Sequence, residues 1–88
     1  LRQNYPNPFN PATGLRYELP KDSQVLLVIY NLHGQVIRTL VEAERKAGFH
    51  KVTWDGRNQA GAAVASGIYL ARLEAGAVVK VIKMSFVK

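Results

Sequence analysis

Three of the four prolines in the chain fall within one short run, Tyr5-Pro6-Asn7-Pro8-Phe9-Asn10-Pro11. Proline fixes the backbone φ angle and has no N–H group to donate, so this run can form neither a helix nor a central strand. We therefore predict that residues 4–11 form an extended, proline-rich segment at the edge of the fold. In such a segment Tyr5 and Phe9 share one face and anchor it to the core, while Pro6 and Pro8 blunt the side that faces solvent.

Size and composition favour one small domain that covers residues 1–88. Nearly half of the residues are hydrophobic, which argues against disorder. The longest apolar runs are far shorter than the ~20 residues of a membrane-spanning helix. The chain has no cysteine, so it contains neither a disulfide nor a thiolate metal site. Because the sequence does not begin with methionine, we expect it to be a piece of a longer protein.

The net charge of +6 raises the question of an anionic partner. Nucleic acid, anionic lipid and lipopolysaccharide all suit a basic chain. The basic residues are nevertheless spread along the sequence, and only Lys80, Lys83 and Lys88 gather, at the C-terminal end. A solvated surface is the simpler interpretation. No stretch clearly interleaves aromatic residues with Arg or Lys, so we predict no nucleic-acid binding.

The hydrophobic pattern predicts an all-β domain. Apolar residues that alternate or run continuously predict strands over 15–19, 25–30, 35–44, 51–54 and 68–73. In a last strand Ile82, Met84 and Phe86 share one face, and residues 75–77 form the hairpin turn before it. Segment 35–44 also fits helical spacing, but its β-branched residues favour a strand, and its end at 42–46 fits a helical turn or a polar loop. With the proline-rich segment, this gives about seven mostly antiparallel strands, which is typical of a sandwich.

The sequence offers no arrangement of catalytic groups, and we predict that the domain is not an enzyme and binds no cofactor or metal. Ser66 lacks the surroundings of a hydrolase nucleophile, and His33 and His50 lack a carboxylate cluster for zinc. Asp55 begins a weak match to a calcium loop, and it more simply accepts hydrogen bonds from backbone N–H groups in a turn. Trp54 is a candidate for stacking on a sugar, but its alternation with polar neighbours favours the core. The tyrosines within the strands, Tyr17, Tyr30 and Tyr69, are interpreted as structural.

A specific order of motifs runs along nearly the whole chain. It opens with the proline-rich segment and continues through residues 28–40, 47–58 and 66–69 to Lys83 and Met84. This order resembles the type A C-terminal sorting domain of the type IX (Por) secretion system. The second half alone also resembles the immunoglobulin-like domain of flagellar hook-capping proteins. The positions that carry the resemblance are Asn4, Tyr5, Pro6, Asn7, Pro8, Phe9, Asn10, Pro11, Tyr30, Gly34, Gly48, Trp54, Asp55, Gly56, Gly61, Gly67, Tyr69 and Lys83.

The resemblance implies an immunoglobulin-like β-sandwich that directs export of an attached protein and its attachment to the cell surface. Such domains lie at the C-terminus of proteins exported by Bacteroidetes-type bacteria, behind an upstream cargo domain in the same chain. The partners implied are the outer-membrane type IX translocon and a sortase-like peptidase that can join the cargo to an anionic lipopolysaccharide. We expect a monomer at the cell surface or secreted through the periplasm and outer membrane. The candidate translocon-recognition residues are Lys83 and Lys88.

Two other functions stay open at this point. One is a carbohydrate-binding module attached to a secreted hydrolase, which would use Trp54 as its stacking platform. The other is a structural immunoglobulin-like spacer without a recognition role.

Overall fold

Six β-strands form two antiparallel sheets in residues 1–87, which are the residues that the structure, a computed structural model, describes. The strands are β1 (Thr13–Leu19), β2 (Ser23–Asn31), β3 (Val36–Arg45), β4 (Gly48–Trp54), β5 (Gly67–Ala75) and β6 (Val78–Phe86). One sheet pairs β1 with β4, and the other has the order β3-β2-β5-β6. The all-β sandwich predicted from the sequence is confirmed, with six strands rather than seven.

The core lies between the two sheets, because alternate side chains of each strand point inward. In β1 the buried apolar residues are Leu15, Tyr17 and Leu19, separated by the exposed Arg16 and Glu18. β5 buries Tyr69, Ala71 and Leu73 in the same way, and Met84 and Phe86 are the buried residues of β6. The remaining core positions are Phe9, Val25, Leu27, Ile29, Val41, Trp54 and Val64. These alternations confirm the inward faces that the sequence predicts.

β2 lies at the centre of the larger sheet, as its continuous apolar run predicts. Val25, Leu27 and Ile29 belong to the core, whereas Val28 is buried on the opposite face of the sheet. β3 is a strand throughout, and it continues to Arg45. The prediction of a helical turn or polar loop over 42–46 is therefore wrong. The reason is its pairing partner, since the first four residues of β2 pair with 42–45 and extend the ladder.

The outer edge of β3 is covered by the loop between β4 and β5. The backbone N–H of Gln59 donates to the carbonyl of Ile37 at 2.9 Å, and the N–H of Thr39 donates to the Gln59 side-chain oxygen at 2.9 Å. These bonds occupy edge groups that are otherwise open to another strand. Within residues 1–87 there is no helix with the length and apolar character to cross a membrane.

The proline-rich segment is bent rather than extended, and this corrects the sequence prediction. Residues 6–8 form bends, and the peptide bonds before Pro6, Pro8 and Pro11 are cis. Tyr5 makes an antiparallel bridge to Gly14 at the start of β1, whereas Phe9 makes a parallel bridge to Phe86 at the end of β6. The segment therefore crosses from one sheet to the other instead of adding a seventh strand to either.

The two aromatic residues of the segment do not share a face. Phe9 is 2% exposed and belongs to the core, but Tyr5 is 74% exposed. The prediction that both rings anchor the segment is wrong for Tyr5, because the bends between the two residues break the alternation on which it relied. Pro6 and Pro8 are exposed, as expected of groups that cannot donate to a sheet.

Candidate functional site

The proline-rich segment and the end of β6 meet over an aromatic cluster at one end of the sandwich. The Phe9 ring stacks on Phe86 with centroids 5.0 Å apart and contacts Trp54 at 5.4 Å. Trp54 in turn meets the edge of the Tyr69 ring at 5.3 Å. Trp54 has no exposed surface, so it is a core residue and is closed to stacking on a sugar. Aromatic pairs of this kind add roughly 0.5–1.5 kcal/mol each beyond the area they bury.

Main-chain hydrogen bonds join the segment to β6, and we name this contact the terminal seam (residues 3–9 against 83–87). The N–H of Phe9 donates to the carbonyl of Ser85, and the N–H of Val87 donates to the carbonyl of Phe9, both at 3.0 Å. The N–H of Ser85 donates to the Asn7 side-chain oxygen at 2.9 Å, and the Gln3 amide donates to the carbonyl of Lys83 at 2.8 Å. The seam therefore brings the two ends of the sequence motif onto one surface.

A buried polar network holds the bend of the segment in place. Asn4 and Thr13 are both almost fully buried. The Asn4 amide donates to the Thr13 hydroxyl at 3.0 Å and to the carbonyl of Pro6 at 3.1 Å, and the Thr13 hydroxyl donates to the same carbonyl at 2.7 Å. Gln3 completes the network by donating to the Asn4 side-chain oxygen at 2.6 Å. Leaving such buried groups unpaired is costly, so the network fixes one path for the chain.

The loop after Trp54 packs beneath the same seam. Gly56 has a φ of +73°, and a side chain there would place its Cβ 2.9 Å from the carbonyl oxygen of Pro11 and 3.2 Å from the Phe86 ring. Only glycine allows this close approach without strain. The Trp54 indole N–H donates to the carbonyl of Arg57 at 2.9 Å, which satisfies its buried polar atom.

Asp55 has the turn role that the sequence predicts. Its carboxylate accepts a hydrogen bond from the backbone N–H of Arg57 at 3.1 Å and pairs with the Arg38 guanidinium at 2.7 Å. Within residues 1–87 no group of three or more His, Cys, Asp or Glu side chains is placed to hold a metal ion.

The other residues of the sequence motif are dispersed. Gly34, Gly48, Gly61 and Gly67 lie in turns or at strand starts with positive φ angles. Tyr30 is half-buried and lies outside the core cluster, whereas the Tyr69 hydroxyl donates to the carbonyl of Ala65 at 2.6 Å. Burial raises the pKa of Tyr69, which keeps the phenol protonated and able to donate.

Only one of the two candidate recognition lysines lies within the described residues. Lys83 is exposed on β6, which is an edge strand of the larger sheet. Lys88 lies outside the described residues. Their role in recognition stays a prediction.

A basic cleft on the smaller sheet is a feature that the sequence reasoning missed. It has a volume of about 350 Å³ and is lined by Arg2, Arg16, Tyr17, Phe49, His50 and Lys51. Arg16 and Lys51 are far apart in sequence, but they are directly opposite each other in the pairing of β1 with β4. In the sequence both residues alternate with inward-facing ones, but the cluster can be recognised only once the pairing of β1 with β4 is known.

The two antiparallel sheets with a shared core define the class of the protein as an immunoglobulin-like β-sandwich domain. The model of the FlgD Ig-like domain family matches residues 10–83, and the chain therefore belongs to that family. Over 56 residues the chain is 39% identical to the basal-body rod modification protein FlgD of Salmonella typhimurium, and equally to that of Salmonella typhi. The matched part is 64% of this chain but only 24% of each relative, so the chain spans about a quarter of their length.

Solved structures with the same fold include two proteins of Porphyromonas gingivalis and one of P. aeruginosa. One is PorZ of Porphyromonas gingivalis, an essential surface component of the type-IX secretion system, with a TM-score of 0.67 and 18% identity over 98% of this chain and 11% of PorZ. Dimeric latent PorU from the same organism has a TM-score of 0.75 and 20% identity over 97% of this chain and 9% of PorU. FlgD of P. aeruginosa has a TM-score of 0.65 and 21% identity over 84% of this chain and 58% of that protein. At these identities the likeness shows the common fold.

Proposed function

We propose that this domain is a non-catalytic C-terminal sorting module that directs export of an attached protein through the type IX secretion system and its attachment to the cell surface. Its partners in this proposal are the outer-membrane translocon, a sortase-like peptidase, anionic lipopolysaccharide and a cargo domain in the same chain. The observation that carries the proposal is the terminal seam. The proline-rich motif and Lys83 are distant in sequence, and the seam presents them on one surface.

The proposal draws support from residues that the family match leaves out. That match begins at Asn10, whereas the seam is built from residues 3–9. The chain thus carries structured residues that the family match does not cover, and these residues open the sorting-type motif. The fold shared with PorZ and PorU, both from P. gingivalis, is consistent with this function.

The surface offered to the translocon is the exposed side of β6. Lys83 projects from this edge strand, while Met84 and Phe86 point into the core. The outer backbone groups of Ser85 already bond to the proline-rich segment, so in this proposal exposed charged side chains select the partner rather than strand addition. Truncation of residues 84–88 removes two core side chains as well as the surface, so charge reversal is the sharper perturbation.

The test uses a secreted reporter fused before residue 1 in a host that has the type IX pathway. We expect the reporter at the surface of wild-type cells and loss of surface reporter in the Lys83→Glu/Lys88→Glu variant. The matched control is Lys21→Glu/Lys46→Glu, which makes the same change in net charge at exposed positions outside the terminal seam. Thermal unfolding of the purified domains checks that both variants fold. Surface display that is equal in all three fusions, or that persists without the domain, contradicts the proposal.

A second candidate function follows from the family. The chain belongs to the FlgD Ig-like domain family and shares 39% identity with a basal-body rod modification protein, which favours a structural role in flagellar assembly. The experiment that separates the two replaces the corresponding domain of the Salmonella protein with residues 10–83 of this chain. Restored motility, together with failed reporter export, favours the flagellar role.

A further inference from the structure

We propose that the basic cleft on the β1–β4 sheet binds an acidic carbohydrate. In this proposal Arg2, Arg16 and Lys51 bind the carboxylate, sulfate or phosphate groups of the glycan, and the Phe49 ring stacks against a sugar ring. The inference concerns the smaller sheet and does not depend on export or on flagellar assembly.

The cations of the cleft are brought together by main-chain pairing. Arg16 and Lys51 are directly opposite each other in the β1–β4 register, and the N–H of Arg2 donates to the carbonyl of Arg16 at 2.9 Å. Three positive side chains are therefore tied to neighbouring positions on one surface. Like charges directly opposite each other destabilise a sheet, and a bound anion removes that repulsion.

Acidic side chains do not neutralise this cluster. Among residues 1–87, the side-chain ion pairs join Arg38 to Asp55, Lys46 to Asp22 and Arg72 to Glu74. None involves a cation of the cleft. Glu18 lies two residues beyond Arg16 on the same exposed face of β1, directly opposite Phe49, but it is not part of the cleft lining. The cleft thus concentrates three positive charges in a chain whose net charge is +6.

Part of the cleft wall is held in place by the fold. A side chain at Gly14 would bring its Cβ within 3.2 Å of the Lys51 Cε, so the missing side chain leaves room for Lys51. The His50 ring stacks on Tyr17 with centroids 5.2 Å apart, and its Nε2 donates to the carbonyl of Lys46 at 2.7 Å. The fold therefore positions Tyr17 and His50, which lowers the ordering cost of binding at this part of the cleft.

Phe49 points to a ligand that combines charge with a ring. It is 77% exposed and lies two residues from Lys51, on the same face of β4. An exposed aromatic ring beside cations suits a charged sugar, which presents an apolar ring face and acidic substituents. A nucleic-acid strand also stacks on aromatic rings, but it needs a basic track with successive platforms. Here one exposed ring, Phe49, and one cation cluster line a cleft of about 350 Å³, which suits one or a few sugar units.

The test measures binding of the purified chain to polygalacturonate, which carries carboxylates, to dextran sulfate, and to neutral dextran. We expect binding to one or both acidic polymers, none to neutral dextran, and weakening as salt rises. Loss of two charge-assisted contacts in Arg16→Gln/Lys51→Gln should lower affinity at least about tenfold. The matched control, Lys80→Gln/Lys83→Gln, removes the same charge from β6 and should change affinity by less than about threefold. Trp54 fluorescence confirms that each variant is folded.

Two further binding measurements decide the ligand class. Phe49→Ala should weaken binding to the acidic polymer, while Leu32→Ala, another exposed apolar residue, should leave it unchanged. A single-stranded oligonucleotide that binds as tightly as the acidic polymers overturns the carbohydrate assignment. Equal losses in the two double-charge variants, or no binding to either acidic polymer, overturn the site itself. Because no host or translocon is involved, either failure leaves the export proposal to its own test.

Discussion

The Phe9→Ala substitution tests whether the proline-rich segment is an integral part of the fold. Phe9 is 2% exposed, stacks on Phe86 and contacts Trp54. Truncating a buried phenylalanine to alanine typically costs about 3–5 kcal/mol. A domain of 88 residues is stable by roughly 4–13 kcal/mol in total, at about 0.05–0.15 kcal/mol per residue. We therefore expect the variant to lose a large part of its stability.

Urea unfolding followed by tryptophan fluorescence provides the measurement, because Trp54 is the only tryptophan and is fully buried. With an m-value of roughly 1–2 kcal/mol/M for a small domain, a loss of about 4 kcal/mol lowers the urea midpoint by about 2–4 M. The control is Tyr5→Ala, in the same segment but 74% exposed, for which a change within about 0.5 kcal/mol is expected. A loss below about 1 kcal/mol for Phe9→Ala would refute the claim that the segment belongs to the core.

Two other predictions concern backbone geometry and pH. Gly56→Ala should destabilise the domain by more than Gly61→Ala, as measured by thermal unfolding. Both positions have positive φ angles, but a Cβ at Gly56 clashes with the Pro11 carbonyl, whereas Gly61 has open space, so equal effects would show that the close approach is unimportant. Burial raises the pKa of Tyr17 above its ordinary value of 10.0. The unfolded state then ionises first, so the stability contributed by the neutral phenol is complete below pH 10.0 and is lost as pH rises through the folded-state pKa. Urea midpoints measured on both sides of pH 10.0 should fall less in Tyr17→Phe than in the wild type, and identical falls would contradict this account.

Much of the sandwich is predictable because it depends on local patterns. Alternation identifies the inward faces of β1, β5 and β6, and the β-branched residues of β3 correctly favour a strand over a helix. The position of Trp54 in the core follows from the same alternation. The predicted path of the proline-rich segment is wrong. Proline composition excludes regular structure, but it does not specify that Tyr5 pairs with β1 and Phe9 with β6.

The features that depend on distant pairing are not readable from one sequence. Asn4 and Thr13 look like ordinary polar loop residues, and only the fold shows that they are buried partners. Arg16 and Lys51 likewise look like scattered surface charges until the register of β1 with β4 places them opposite each other. The interpretation of the basic residues as a dispersed, solvated surface therefore overlooks a cleft where three of them converge.

The parallel arrangement at the terminal seam has a mechanical consequence. Phe9 pairs with Phe86 in parallel, so the two ends of the chain run in the same direction at this contact. A pull that separates the two ends of the chain is then directed along the strands, and the hydrogen bonds at Phe9, Ser85 and Val87 are loaded together rather than one after another. The geometry of the seam therefore resists a pull between the two ends of the domain.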